Sequence, residues 1–185
     1  NEHGGKTVAI SDCEPNVATL EKLLLEKGKQ VMIKLSPMLD LSLAIRDMQH
    51  VSEAHIVSVN NECKELLLLL RPGDNSPEIP SAMSQPIVCI NFANQEIQRF
   101  VFTRKSEQAT ECSYTHEIGT YLYEPNASIL KAGAFRSIAS SFHLSKLHAN
   151  SHLYTSNERI EKFPGRIFRI TGYSGLNKKE LKNIL

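Results

Sequence analysis

The chain has 185 residues, 41% hydrophobic and 22% charged, with a formal net charge of +1 at pH 7. That hydrophobic share excludes a wholly disordered chain, and the length suits one domain or two small ones. A nearly neutral charge excludes recognition by bulk electrostatics, so a nucleic-acid partner requires a local basic patch, and the lack of Trp leaves no obvious base-stacking platform.

In chain order, Lys6–Ser11 reads as a short strand or irregular extended piece. Asp12–Lys27 reads as a helix, with Ser11 or Asp12 as cap and Pro15 in its first turn. Val17, Leu20, Leu23 and Leu24 recur at helical spacing and predict its apolar face, and Gly28 ends it. Val31–Leu35 is a short apolar run that stops at Ser36-Pro37, as a buried strand would. Leu39 to Met48 carries helical periodicity, with Asp40 or Ser42 as cap. Glu53–Val59 alternates as a strand, Asn60-Asn61 suits a tight turn, and Cys63–Leu70 is the next strand. Its five consecutive leucines predict cover on both faces, as in the middle of an α/β sheet.

Arg71–Gln85 holds three prolines and no apolar period, so it reads as a linker. Pro86–Ala93 and Glu96–Arg104 predict two strands joined by a two-residue hairpin at Asn94-Gln95, and Lys105–Glu117 predicts a loop. Tyr121–Tyr123 predicts a strand, and the Glu124-Pro125-Asn126 turn opens a helix at Ala127 that runs to Phe135. A second helix over Phe135–Phe142 comes next, continuous with the first or separate from it. His143–His152 is a polar connection, Leu153–Thr155 is extended, Arg166–Gly172 is a strand, and Asn177–Leu185 begins a helix.

Strand, crossover helix, strand and directly connected antiparallel strand is the order in which a class I S-adenosylmethionine (SAM) methyltransferase sheet ends. The strings KLSPMLDLS, HIVSVNNECKELLLLL and GTYLYEPNASILKAG further resemble the bacterial SAM-dependent methyltransferases that carry a C-terminal THUMP-like domain. The resemblance spans most of the chain. It implies an α/β chain, α+β overall: the C-terminal half of a Rossmann-like methyltransferase sheet over 1–73, a linker and small β-rich, ferredoxin-like module over 74–117, and a THUMP-like module over 118–185. It also implies a parent enzyme that transfers a methyl group from SAM, with RNA as the expected substrate and partner.

The family's Gly-rich cofactor loop and Asp-Pro-type motif are not matched; the sequence has no G-x-G. Both ends read as cut from something longer. The catalytic and cofactor residues are therefore expected upstream of Asn1, with SAM bound by the parent and no cofactor or activity expected in this piece alone. A sheet edge left open predicts homodimerisation or partial disorder before about residue 80. The other readings are a stand-alone RNA-binding or protein-interaction module, and a methyltransferase acting on a non-RNA substrate.

Ligands of open α/β sheets sit beyond the carboxyl ends of the strands. Lys34, Ser36, Pro37, Asp40, Asn60 and Asn61 occupy that edge and are candidates for a substrate-pocket rim; turn and cap chemistry explains the same residue types. Lys131, Arg136, Lys146, Arg166, Arg169, Lys178 and Lys179 are candidates for an RNA-facing patch, against the alternative of an ordinary solvated surface. Cys112, His143, His148 and His152 invite a metal reading, but Asn150-Ser151 looks like a loop, so no metal is expected. The four cysteines form no C-x-x-C pair, and Cys63 and Cys89 read as buried thiols. Reduced thiols fit a cytoplasmic protein. The sequence shows no signal peptide and its five-Leu run is too short to span a bilayer, so no membrane partner is expected.

Overall fold

Two sheets share one hydrophobic core in the computed structural model, which describes residues 9–72, 83–94 and 96–174. The first sheet is built from β1 (Val31–Leu35), β2 (Val51–Val59), β3 (Glu62–Leu70), β4 (Ile87–Ala93) and β5 (Glu96–Phe102), in the order β1-β3-β2-β4-β5. Strands β1 and β2 both run antiparallel to the β3 between them, so they are parallel to each other. Strand β4 is parallel to β2, and β5 is antiparallel to β4. The carboxyl ends of β1, β2 and β4 therefore share one edge.

Register explains the core. Ile33, Leu68, Ala54, Ile87 and Phe102 are cross-strand neighbours in one row, and Leu35, Leu66, Ile56, Cys89 and Phe100 form the next. All but Phe100 are buried, and Phe100 packs on them. Each such aliphatic side chain contributes roughly 1.5–3 kcal/mol on burial. The five-leucine run departs from the expectation of cover on both faces. Leu66, Leu68 and Leu70 are buried, whereas Leu67 and Leu69 on the opposite face are only half-buried. That face also carries exposed Met32 and Val101.

The first helix, α1 (Val17–Lys27), is capped by Asn16, whose Oδ1 accepts from the Ala18 N–H at 3.1 Å, and not by Ser11 or Asp12. Its orientation also differs from the predicted one: Leu20 and Leu23 are exposed, and its one buried residue is Glu21. The Glu21 carboxylate accepts the main-chain N–H groups of Gln49 (3.0 Å) and His50 (2.7 Å) and contacts His50 Nδ1 at 3.1 Å. Three donors on one carboxylate offset its desolvation and turn this face inward. Helix α2 (Leu41–Asp47) is capped as predicted by Asp40, whose Oδ1 accepts from the Leu43 N–H at 2.9 Å.

The break expected at 74 does not separate two sheets, because β4 and β5 extend the sheet of β1–β3. The predicted hairpin is present: Ala93 pairs with Glu96, and Asn94 takes a φ of 47°. Helix α3 (Arg104–Ala109) starts on the last residue of the predicted strand and occupies the first part of the predicted loop 105–117. Reciprocal hydrogen bonds between Thr103 and Ser106 start it. Polar contacts hold it, from Arg104 to the Ala132 carbonyl and to Ser42 Oγ, which is why it shows no apolar period.

The second sheet comprises β6 (Tyr121–Pro125), β7 (Ser145–Lys146), β8 (Tyr154–Ser156) and β9 (Gly165–Arg169), ordered β7-β8-β6-β9 with every pairing antiparallel. Helices α4 (Ala127–Ala132) and α5 (Phe135–Ser141) connect β6 to β7. They are separate helices, because Gly133 takes a φ of 75° and terminates α4. Both cover the face that carries Tyr123 and Tyr154, whose hydroxyls donate to the Glu158 and Phe135 carbonyls. This succession is the ferredoxin-like β-α-β-β-α-β pattern with residues 157–164 in place of its second helix. The whole is a mixed α+β structure. Among the described residues no helix is long and apolar enough to cross a membrane. Lys178, Lys179 and the helix expected over 177–185 lie outside the described residues.

Candidate functional site

The inner face of the first sheet changes character near its carboxyl edge. After two apolar rows comes a polar one in which Ser58 opposes Cys63 and Asn91, and Asn91 opposes Gln98. Ser58 and Asn91 are buried. Above this row the second sheet arrives with the start of α4 and the start of β9. Between them lies a cavity of about 340 Å³ lined by Asn60, Asn61, Asn91, Asn94, Gln98, Asn126, Ala93, Gly165 and Arg166. It sits beyond the carboxyl ends of β2 and β4, where open α/β sheets place ligands.

Local sequence builds each wall. Asn60 and Asn61 close the β2–β3 hairpin with φ of 50° and 64°, a conformation that Asn tolerates better than most residues. Asn126 caps α4 through its Oδ1. Gly165 is required by close approach: a Cβ there would stand 2.1 Å from the Glu124 carbonyl oxygen and 2.9 Å from Pro125 Cα. The Gly165 carbonyl accepts from Gln98 Nε2 at 3.3 Å, which ties the two sheets together. Two further ties come from the Ala127 N–H to Asn61 Oδ1 (2.7 Å) and Cys63 Sγ–H to the Ala127 carbonyl (3.3 Å). Arg166 stands at the mouth, with Nε donating to Glu124 Oε2 at 2.8 Å and its guanidinium 5.7 Å from the Phe168 ring.

Of the predicted rim, Asn60 and Asn61 line this cavity. Lys34 instead pairs with Glu65 at 3.1 Å, and Ser36, Pro37 and Asp40 build the turn and cap that enter α2. The predicted basic patch is divided. Arg136 is exposed and Lys131 half-buried on the helices over one face of the second sheet, and Arg166 lies on the other face. Arg169 is exposed at the end of β9. Lys146 is a correction: at 3% exposure it points into the core, beside Phe135 and bonded to the Ala149 carbonyl. Burial lowers its pKa below the usual lysine value. It pairs in register with buried Tyr154, which a view of basic residues as surface residues does not anticipate.

His152 stacks on Phe135 with ring centroids 3.9 Å apart, His148 Nδ1 accepts from the Asn150 N–H, and His143 comes after α5 with a φ of 52°. Among the described residues no three His, Cys, Asp or Glu side chains are grouped to hold a metal. Asn91, Gln98 and Asn126 belong to the site although sequence reasoning does not single them out. A buried amide in an otherwise apolar strand, as in Ile87–Ala93, is the signal that could have found Asn91.

A family model described as a ferredoxin-like domain matches residues 121–164, within the segment expected to be THUMP-like. A crystal structure from Porphyromonas gingivalis W83, described provisionally as a methyltransferase, matches with a TM-score of 0.87 and 38% identity. The match covers 95% of this chain and 43% of that one, so the chain spans less than half the length of its relative. No curated protein matches. Over nearly its whole length the chain is thus similar to part of that methyltransferase-described structure, and its residues 121–164 match a ferredoxin-like domain.

Proposed function

We propose that the chain forms the substrate side of a SAM-dependent methyltransferase acting on RNA. The observation that carries this reading is the β1–α2–β2–β3 unit, in which a parallel pair is split by an inserted antiparallel strand. That arrangement agrees with the way class I methyltransferase sheets end, and the methyltransferase-like neighbour supports it. In this reading β1–β3 complete a Rossmann-like sheet, the SAM loop and the reacting groups lie in a preceding part of the enzyme, and the second sheet and the segment C-terminal to it present RNA. Lys34, Ser36, Pro37 and Asp40 then border the reaction site beyond β1, while Arg136, Arg166 and Arg169 approach the RNA.

The test is methyl transfer from radiolabelled SAM to RNA by a longer form that includes the preceding segment, beside the present chain. The reading expects incorporation into RNA by the longer form and neither incorporation nor SAM binding by this chain. SAM binding by this chain alone would overturn the division of labour. Label appearing in protein or small molecules but not in RNA would overturn the substrate.

A further inference from the structure

We propose that the amide-lined cavity between the two sheets is an oxyanion site that holds a backbone phosphate of the RNA strand; the RNA source of that phosphate rests on the function proposed above. The polarity of the cavity wall points to it. A side-chain amide offers one acceptor oxygen and one NH₂ donor, and its neighbours decide which end remains free. Asn60 Oδ1 accepts from the Asn94 N–H at 3.3 Å, Asn61 Oδ1 from the Ala127 N–H at 2.7 Å, and Asn91 Oδ1 from the Asn61 N–H at 3.0 Å. A main-chain N–H can only donate, so these contacts fix all three amide orientations. Gln98 Oε1 accepts from both Asn91 Nδ2 and Asn126 Nδ2 at 3.1 Å, and Asn126 Oδ1 accepts from Ser128 Oγ at 2.6 Å.

The oxygens of these five amides are therefore all engaged by the protein itself. The NH₂ groups of Asn60 and Asn61 make no hydrogen bond among the described residues, and both residues line the cavity. Arg166 adds a guanidinium whose Nε and Nη2 are held by Glu124, which leaves Nη1 open. The free NH₂ groups of Asn60 and Asn61 and the open Nη1 of Arg166 give the cavity donors, and each of those five amide oxygens already carries a hydrogen bond. Asn94, the sixth amide of the lining, can turn its NH₂ inward, so the cavity favours a ligand rich in acceptors, which describes a phosphate better than the mixed edge of a base. Glu124 balances the Arg166 charge, so binding is carried by hydrogen bonds and a monoanionic diester suits it better than a more highly charged group.

Asn60→Asp and Asn61→Asp test this with little disturbance of the fold. Asp also tolerates left-handed φ, and it keeps the oxygen that accepts the main-chain N–H while exchanging the free NH₂ for a second oxygen. Thr19→Asp on α1, exposed and outside the cavity lining, controls for added charge. The readouts are the side-chain NH₂ resonances of Asn60 and Asn61 in the ¹⁵N-labelled chain, titrated with a short single-stranded RNA, inorganic phosphate or an unphosphorylated nucleoside. The expected result is movement with RNA and phosphate but not with nucleoside, and RNA binding weakened about tenfold in each variant but not in Thr19→Asp. Movement with phosphate in a chain that does not bind RNA would uphold the oxyanion site and overturn the RNA substrate. RNA binding that leaves these resonances and the variant affinities unchanged would overturn the site and leave the RNA reading standing. Equal movement with nucleoside would overturn the phosphate assignment.

Discussion

Replacing Glu21 by Ala should cost far more stability than replacing Leu23 by Ala on the same helix, because α1 turns its carboxylate inward. Glu21 is 6% exposed and Leu23 is 53% exposed. Removal of the carboxylate strands the Gln49 and His50 N–H groups and frees His50 Nδ1. Hydrogen bonds to an ionised group are worth ~1.5–3 kcal/mol each, and partial solvent access at Gln49 lowers the sum, so the expected loss is about 3 kcal/mol. For a chain of this size that is a fall in Tm of roughly 6–12 °C. Leu23→Ala removes little buried area, and Ala is the better helix former, so its effect should stay within about 0.5 kcal/mol. Urea denaturation followed by circular dichroism measures both. If Leu23→Ala costs more than Glu21→Ala, the helix faces the way its leucine spacing suggests and the buried carboxylate does not orient it.

Three further outcomes are expected. Gly165→Ala drives a Cβ into the Glu124 carbonyl and should cost at least ~2 kcal/mol in the same assay, while Gly172→Ala, with open space around it, should be nearly silent. His143 sits at a φ of 52°, so His143→Gly should raise stability by about 1 kcal/mol, and an unchanged midpoint would show that no strain resides there. Burial raises the Cys89 pKa well above the thiol range, with Cys63 adding to the effect and Arg104 opposing it. The folded state therefore holds this proton more tightly than the unfolded one. The stability it confers is complete below the unfolded thiol pKa near 8.5 and declines above it by about 1 kcal/mol per pH unit. Cys89→Val should flatten that decline between about pH 9 and 10.5 in urea denaturation, and parallel curves for the two proteins would refute it.

Local chemistry was legible where one residue dictates a conformation. Asp40 caps α2, Asn60-Asn61 turns β2 into β3, Gly28 ends α1, and the strands of the first sheet fall where apolar alternation put them. Periodicity failed where polar groups make the contact. Helix α3 is pinned by Arg104 and the Thr103–Ser106 pair, and α1 by Glu21, so neither shows its buried side as a row of leucines. The cavity was half legible: Asn60 and Asn61 were candidates because a strand edge carries them, but their partners lie up to 66 residues away in sequence, as in the Asn61–Ala127 contact.

Strands, most of the turns and the α+β composition are properties of the local sequence, since they depend on φ preferences and on apolar residues within a few positions of one another. Three features instead required the packed chain: β4 joins β2 in one sheet, Lys146 turns inward against Tyr154, and six amides with Arg166 meet at one cavity. Those outcomes depend on which distant backbone N–H and carbonyl groups each side chain satisfies. That pairing is settled when two sheets close on a common core, and no local pattern of residues records it.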